Sequence, residues 1–406
     1  MNNPRIQSGT TAFRQVNLAL FAAGFVTFIT LYDMQPLLPE FAREFNIPPA
    51  LASLPLSAAC FTLAVGMLLA GTLSETLGRK PVMVYSLFLT SILALLTAFS
   101  QSLGSLVLLR FIQGMVLAGL PPVAMAYLSE EIEPATIGTA MGLYISGNAI
   151  GGMSGRLFTA TVTDFSSWHT ALVLVGLSSL LLSIYFAFNL PLSNQFCPRK
   201  FEYRYLFTSL HQKLRDPSLL CLYGISFTVM GSFVTLFNYI TFRLIGPEYG
   251  LSQTVVSLIF LTYLLGAYCS SAVNKLVKKW GRFATIRCCL LTMIIGLVLT
   301  LASQLIIVVF GIALFTCGFF GTHTSASTWV GQHAKTAKAQ AAALYLFFYY
   351  LGSSISGTIG GFCWTDAGWG GVTGFIGLLL IFALGLTTVL ARLISPADEP
   401  ALTARS

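Results

Sequence analysis

Four side chains of this 406-residue sequence interrupt long apolar runs with groups that can carry charge or a proton: Asp33, Arg110, Arg156 and His323. An ionic group inside an apolar run costs a few kcal/mol or more unless it faces a cavity or a partner, so each is a functional candidate by default. Burial favours the neutral form of a carboxyl, while a neighbouring guanidinium favours the charged form. An acid and an arginine held together can therefore be balanced to exchange a proton. Asp33, Arg110 and Arg156 all fall toward the same end of their runs, so one pocket can hold them. The expectation is that Asp33 exchanges the proton with Arg110 or Arg156 as partner. Blander readings stand beside it: Asp33 simply ends its run before Pro36 and Pro39, and Arg110 snorkels to the surface. His323 titrates near neutrality, which suits proton work, yet a lone histidine also serves as a hydrogen-bonded helix contact.

The elements that must position these groups follow from composition. Hydrophobic residues make up 55% of the chain and charged residues 9%, against about 25% charge in an ordinary soluble domain. A surface so poor in charge belongs in lipid. Apolar runs of spanning length, about 20 residues, fall at 14–36, 51–73, 81–100, 104–128, 137–160 and 169–190, and again at 218–243, 253–273, 284–302, 305–330, 340–362 and 372–393. No small-residue cleavage site follows the first run, so it is expected to remain as a span. The expected fold is all-α and membrane-integral, with twelve transmembrane helices. Its expected organisation is a six-helix bundle over 1–190, a linker over 191–217 and a second bundle over 218–406. Lys and Arg crowd the segments on one side (among them Arg79, Lys80, Arg199, Lys200, Lys213, Lys275, Lys278, Arg282, Lys335 and Arg405). The positive-inside rule then puts both termini and the linker in the cytoplasm.

The halves repeat. Gly71-x-Leu-x-Glu75-x-x-Gly78-Arg79-Lys80 after span 2 has a counterpart in Asn274 to Arg282 after span 8. Gly147, Gly151, Gly152 and Gly155 in span 5 have counterparts in Gly352, Gly357, Gly360 and Gly361 in span 11. Small residues at such places let helices pack closely, and matching places in two halves imply a duplicated bundle with internal pseudo-symmetry.

These motifs resemble those of the major facilitator superfamily. Gly71 to Lys80 is similar to that family's G-x-L-x-D-R-x-G-R-K loop, with Glu75 for Asp and Thr76 for Arg. The resemblance implies a gating latch in which Gly71 permits a close helix approach and Glu75 sits near a helix N-terminus. Arg110-x-x-Gln113-Gly114 resembles a motif tied to proton coupling. The glycines of span 5 resemble the motif of the drug:proton antiport branch, although Gly152 stands for Pro and Arg156 for the last Gly. In this family spans 1, 4, 7 and 10 line the central cavity, which makes Tyr32, Gln35, Gln113, Asn238, Tyr239 and His323 the candidate substrate-binding residues. The implied function is secondary transport in a bacterial inner membrane. It would be proton-coupled efflux of drugs or metabolites by alternating access, powered by the proton gradient with no cofactor, in a monomer.

Two other functions compete. One is a symporter importing a nutrient in the same fold. The other is a multispan acyl or glycosyl transferase, which would need clustered His and acids at one membrane face. Glu130, Glu131 and Glu133 cluster beside no His. No nucleophile–base arrangement, phosphate loop or H-E-x-x-H occurs, so no enzyme is expected. The eight cysteines show no metal spacing and read as packing or small hydrophobes. The net charge of +8 sits in loops, which speaks for membrane orientation and against nucleic acid.

Overall fold

A computed structural model describes residues 5–196, 203–334 and 337–394. Cys197, Arg199, Lys200, Lys335 and Arg405 lie outside the described residues. Among the described residues, ten helical stretches are long and apolar enough to cross a membrane. In chain order these are spans 1 to 4, Thr11–Glu44, Leu54–Leu77, Arg79–Thr97 and Leu103–Glu131; span 6, Trp168–Asn189; spans 7 to 10, Pro217–Ile245, Gln253–Trp280, Arg282–Leu299 and Leu305–His333; and the stretch Lys338–Leu393.

The last is not a single span. Its 56 residues would run about 84 Å at 1.5 Å per residue, far beyond a hydrocarbon core of about 30 Å. Ala367 and Gly368 leave helical geometry, Gly368 at φ 56°, and divide it into span 11 (338–366) and span 12 (369–393). Span 5, Ile137–Phe165, is the remaining long helix. Its glycines, serines and threonines lower its hydropathy without breaking it. Ten stretches, one of them double, plus span 5 give the twelve spans expected of the sequence among the described residues.

The chain forms two compact units. Unit 1 holds Met1–Ile47, Leu54–Glu202 and Ser252–Ser257, and unit 2 holds Pro48–Ser53, Tyr203–Leu251 and Leu258–Ser406. Two short segments therefore join the unit that is remote in sequence. In unit 1 the Asp164 carboxylate accepts from the backbone N–H of Gln253 at 3.2 Å and of Thr254 at 2.7 Å, which ties down Ser252–Ser257. In unit 2 the backbone of Ala50 lies against Gly361.

Each unit is built on the same helix pair. Gly147, Gly151 and Gly155, one per helical turn, put span 5 directly on the backbone of span 1 at Phe21, Phe25 and Ile29. A methyl on Gly155 would fall 2.8 Å from Ile29 O. In unit 2, Gly352 puts span 11 on the backbone of span 7 at Phe227, and Gly360 makes room for the side chains of Thr235 and Tyr239. Hydrogen bonds lock that pair: Thr235 Oγ1 donates to Ser356 O at 2.9 Å and Tyr239 Oη to Gly357 O at 2.5 Å. Gly152 is placed differently, with Arg156 Nη1 and the Phe28 ring as its neighbours.

Candidate functional site

Span 1 breaks where its acid sits. Regular helix runs over Thr11–Tyr32, a turn follows at Asp33, a 3-10 stretch covers Gln35–Leu37, and helix resumes at Leu38–Glu44. Pro36 and Pro39 account for the break, since neither has an N–H to return to the preceding turn. The final carbonyls of a helix lack backbone donors, and Arg110 from span 4 supplies two. Its Nη1 donates to Thr30 O and its Nη2 to Leu31 O, both at 2.6 Å.

The same guanidinium holds the acid. Arg110 Nη1 lies 3.3 Å from Asp33 Oδ1 and 2.8 Å from Gln113 Oε1. Gln113, one turn along span 4, passes its amide N–H to Thr90 O at 3.1 Å. Asp33 and Arg110 are both 0% exposed, so Arg110 does not snorkel. Asp33 Oδ2 and Arg110 Nε make no hydrogen bond. A buried carboxylate with an idle oxygen is costly while charged. A proton taken up there discharges the acid and frees the arginine.

Arg156 serves the neighbouring residues. Its Nε donates to Gln35 Oε1 and its Nη1 to Gly152 O, each at 2.6 Å, and its guanidinium lies 4.1 Å from the centre of the Tyr32 ring. Thr159, on the next turn of span 5, donates to Asp33 O at 2.8 Å. Unit 1 thus gathers Tyr32, Asp33, Gln35, Arg110, Gln113 and Arg156 in one buried neighbourhood, with Arg110 in the ion pair and Arg156 over the aromatic and amide groups.

Unit 2 carries the other candidates. Asn238 and Tyr239 are fully buried on span 7. His323 Nδ1 lies 3.1 Å from Tyr345 Oη. The histidine ring is 4.8 Å from that of Tyr349 and stacks parallel to Phe319 at 6.0 Å. Phe319 in turn stacks on Phe233 at 3.7 Å. The tyrosines of span 11 are therefore part of an aromatic wall around a polar imidazole.

The Gly71–Lys80 turn departs from expectation in two respects. A methyl placed on Gly71 would meet no atom within 4 Å, so this glycine makes no close helix approach here. Its use is its carbonyl, which accepts from Ser74 Oγ at 2.7 Å and Arg79 Nη1 at 3.4 Å. Glu75 is half-buried and shows no hydrogen bond or ion pair among the described residues. The acid that engages the turn is Glu130 at the end of span 4, which takes Arg79 with both oxygens, at 3.1 Å from Nε and 2.6 Å from Nη2. Sequence reasoning missed Glu130 because it weighed the Glu130, Glu131 and Glu133 cluster only as an enzyme site. Gly78 is needed for its backbone, φ 94°, which only glycine adopts readily. Lys80 Nζ donates to Leu190 O.

The Major Facilitator Superfamily family model matches residues 18–357. The chain belongs to the major facilitator superfamily. It is 48% identical over 394 residues to an uncharacterized MFS-type transporter, YybF, of Bacillus subtilis (strain 168), covering 97% of this chain and 98% of the relative. It is 45% identical over 390 residues to the inner membrane transport protein YnfM of Escherichia coli (strain K12), covering 96% and 94%. A crystal structure of a mutant nucleoside transporter NupG superposes with TM-score 0.76 at 13% identity, covering 94% of this chain and all of that one. That likeness concerns the fold alone. This superfamily member is a multi-pass membrane transporter, not an enzyme.

Proposed function

We propose that this transporter is proton-coupled and exports small amphipathic molecules, drugs or metabolites, with Asp33 as the proton-exchanging acid and Arg110 as its partner. The observation that carries the reading is the ion pair inside unit 1, fully buried and with Asp33 Oδ2 unengaged. With Asp33 charged, the pair is neutral and clamps Arg110 to the end of the span 1 helix. With Asp33 protonated, Arg110 is left to backbone carbonyls and Gln113. Two such states with different contacts are what a proton needs in order to bias a conformational cycle. Arg156 holds Tyr32 and Gln35 in place beside the acid. The aromatic wall around His323 suits a substrate with an apolar body and a polar group. The span 5 glycines and the Asp33-x-x-Pro36-x-x-Pro39 stretch support the antiport direction by resemblance. The protein works as a monomer in a bacterial inner membrane with both termini cytoplasmic. It uses the proton gradient and no cofactor.

The test is transport in proteoliposomes under an imposed pH gradient, across a panel of candidate compounds, for the wild type and Asp33→Asn. The variant should bind substrate yet lose the response to the gradient. Full gradient-driven transport by Asp33→Asn would refute the assignment. Proton entry into inverted vesicles on adding substrate, rather than proton exit from them, would replace efflux by symport.

A further inference from the structure

Unit 2 contains a cavity of about 330 Å³ whose walls come from spans 8, 9 and 10. That size is at the lower end of the range for small-molecule sites. Asn274 and Lys278 enter it from span 8, Arg282 from the start of span 9, and Ser325, Thr328 and Gln332 from span 10. Among the described residues, those lining it include two cations and no acid. Asn274, Lys278, Thr328 and Gln332 are exposed at the rim, while Arg282 and Ser325 are buried at the floor. Ser325 is 4% exposed, and its hydroxyl is buried with no hydrogen-bond partner among the described residues. A buried hydroxyl left idle at the floor of a polar cavity costs stability unless something fills the cavity.

The other half of the molecule shows what the arrangement lacks. Arg79 and Arg282 each follow a glycine of positive φ, Gly78 at 94° and Gly281 at 80°, and each opens a helix. In unit 1 the guanidinium meets the Glu130 carboxylate. In unit 2, at the matching place, it meets the Gln332 amide oxygen and lies 5.6 Å from the centre of the Trp329 ring. The amide keeps the acceptor, removes the negative charge and adds two N–H donors. One half fills this corner with its own carboxylate, and the other leaves a donor-rich hollow beside a cation.

We infer that this cavity binds a phosphate group, held by Lys278 and Arg282 and seated on Ser325, Thr328 and Gln332. The donors converge from three helices, which fits the oxygens of a tetrahedral group better than the two coplanar oxygens of a carboxylate. An arginine fork with a lysine point charge is the usual pairing for phosphate. The phosphate comes either from an anionic lipid headgroup or from a free phosphate or phosphate ester.

Two arms on the full-length protein separate these sources. In nonionic detergent, inorganic phosphate is titrated against the wild type at constant ionic strength, with chloride as control, by calorimetry and thermal midpoint. In nanodiscs of phosphatidylcholine alone or mixed equally with phosphatidylglycerol, native mass spectrometry counts retained lipid. The deciding variant is Gln332→Glu, which recreates the arrangement of unit 1 and should fold at least as well as the wild type. It should weaken phosphate binding, or phosphatidylglycerol retention, at least about tenfold. Ser325→Val fills the floor while keeping both cations and should weaken it similarly. Binding in the first arm assigns a soluble phosphate, and retention in the second alone assigns a lipid headgroup. Equal binding to wild type and both variants, or no binding in either arm, overturns the proposal.

Discussion

Arg110→Gln should cost far more stability than Asp33→Asn, although both break the same ion pair. At 3.3 Å and an effective dielectric of about 20, the pair attracts by about 5 kcal/mol. Burying two ions costs several kcal/mol each, so the pair as a whole comes out near break-even. The asymmetry lies in what each ion keeps when the other is gone. Arg110 retains Thr30 O, Leu31 O and Gln113 Oε1 at 2.6, 2.6 and 2.8 Å. Two of these acceptors are carbonyls at a helix C-terminus, where the dipole itself carries negative charge. Asp33 retains no cation and already has one idle oxygen. Arg110→Gln should therefore lose about 3–5 kcal/mol, the usual cost of stranding a buried charge. Asp33→Asn should lose about 1–2 kcal/mol, because carbonyl dipoles stand in for the carboxylate. The double variant should fall close to Asp33→Asn alone. Reversible unfolding by steric trapping in bicelles measures all four proteins as a double-mutant cycle. Equal losses for the two single variants, or losses that add to within about 0.5 kcal/mol in the double variant, would refute the geometry on which proton exchange by Asp33 rests.

Three further outcomes follow from other parts of the molecule. Glu130→Gln should cost about 1–3 kcal/mol by weakening a charge-assisted, two-point contact with Arg79, while Glu75→Gln should stay within about 0.5 kcal/mol; thermal unfolding of the two variants side by side checks the order. Gly155→Ala should cost about 1–3 kcal/mol through overpacking against Ile29, whereas Gly71→Ala, with open space around it, should gain up to about 1 kcal/mol of helix propensity; a stabilised Gly155→Ala protein would contradict the span 1–span 5 contact. The hydrogen bonds from Arg243 hold the Glu248 carboxyl below its usual range. A carboxyl depressed in the folded state contributes stability that is present above the ordinary carboxylate range and is lost as pH falls through it. The thermal midpoint of the wild type should therefore drop more steeply below about pH 4.5 than that of Glu248→Gln, and parallel curves would exclude the contact. Glu248 is 47% exposed, so the difference should be small and should shrink with added salt.

Much of this molecule is legible in the chain because lipid allows so few solutions. A backbone in hydrocarbon must satisfy its own hydrogen bonds, so twelve apolar runs of spanning length mean twelve helices, and most of the observed ends differ from the runs by a few residues. The glycines of spans 5 and 11 announce close packing for the same reason, since close approach there requires the absence of a side chain. Span 8 shows why ends are less legible: the helix continues to Trp280, past the apolar run, because a helix need not stop where the hydrocarbon does. Span 1 shows the opposite, for its two prolines place the break within the apolar segment.

The sequence by itself determined the solvent, the number of helices, the repeat between halves and the short roster of ions that lipid would not tolerate without a reason. Only the tertiary structure decided their partners. Arg110 rather than Arg156 took the acid, because the end of the span 1 helix offers two carbonyls that bring its guanidinium to Asp33. Glu130 rather than Glu75 took Arg79, although two spans separate it from Arg79 in sequence. Ion pairs form between side chains that packing brings within a few ångströms. Hydropathy fixes how far each residue sits along its helix, while the rotation of that helix and the choice of its neighbour are settled by side-chain packing between spans.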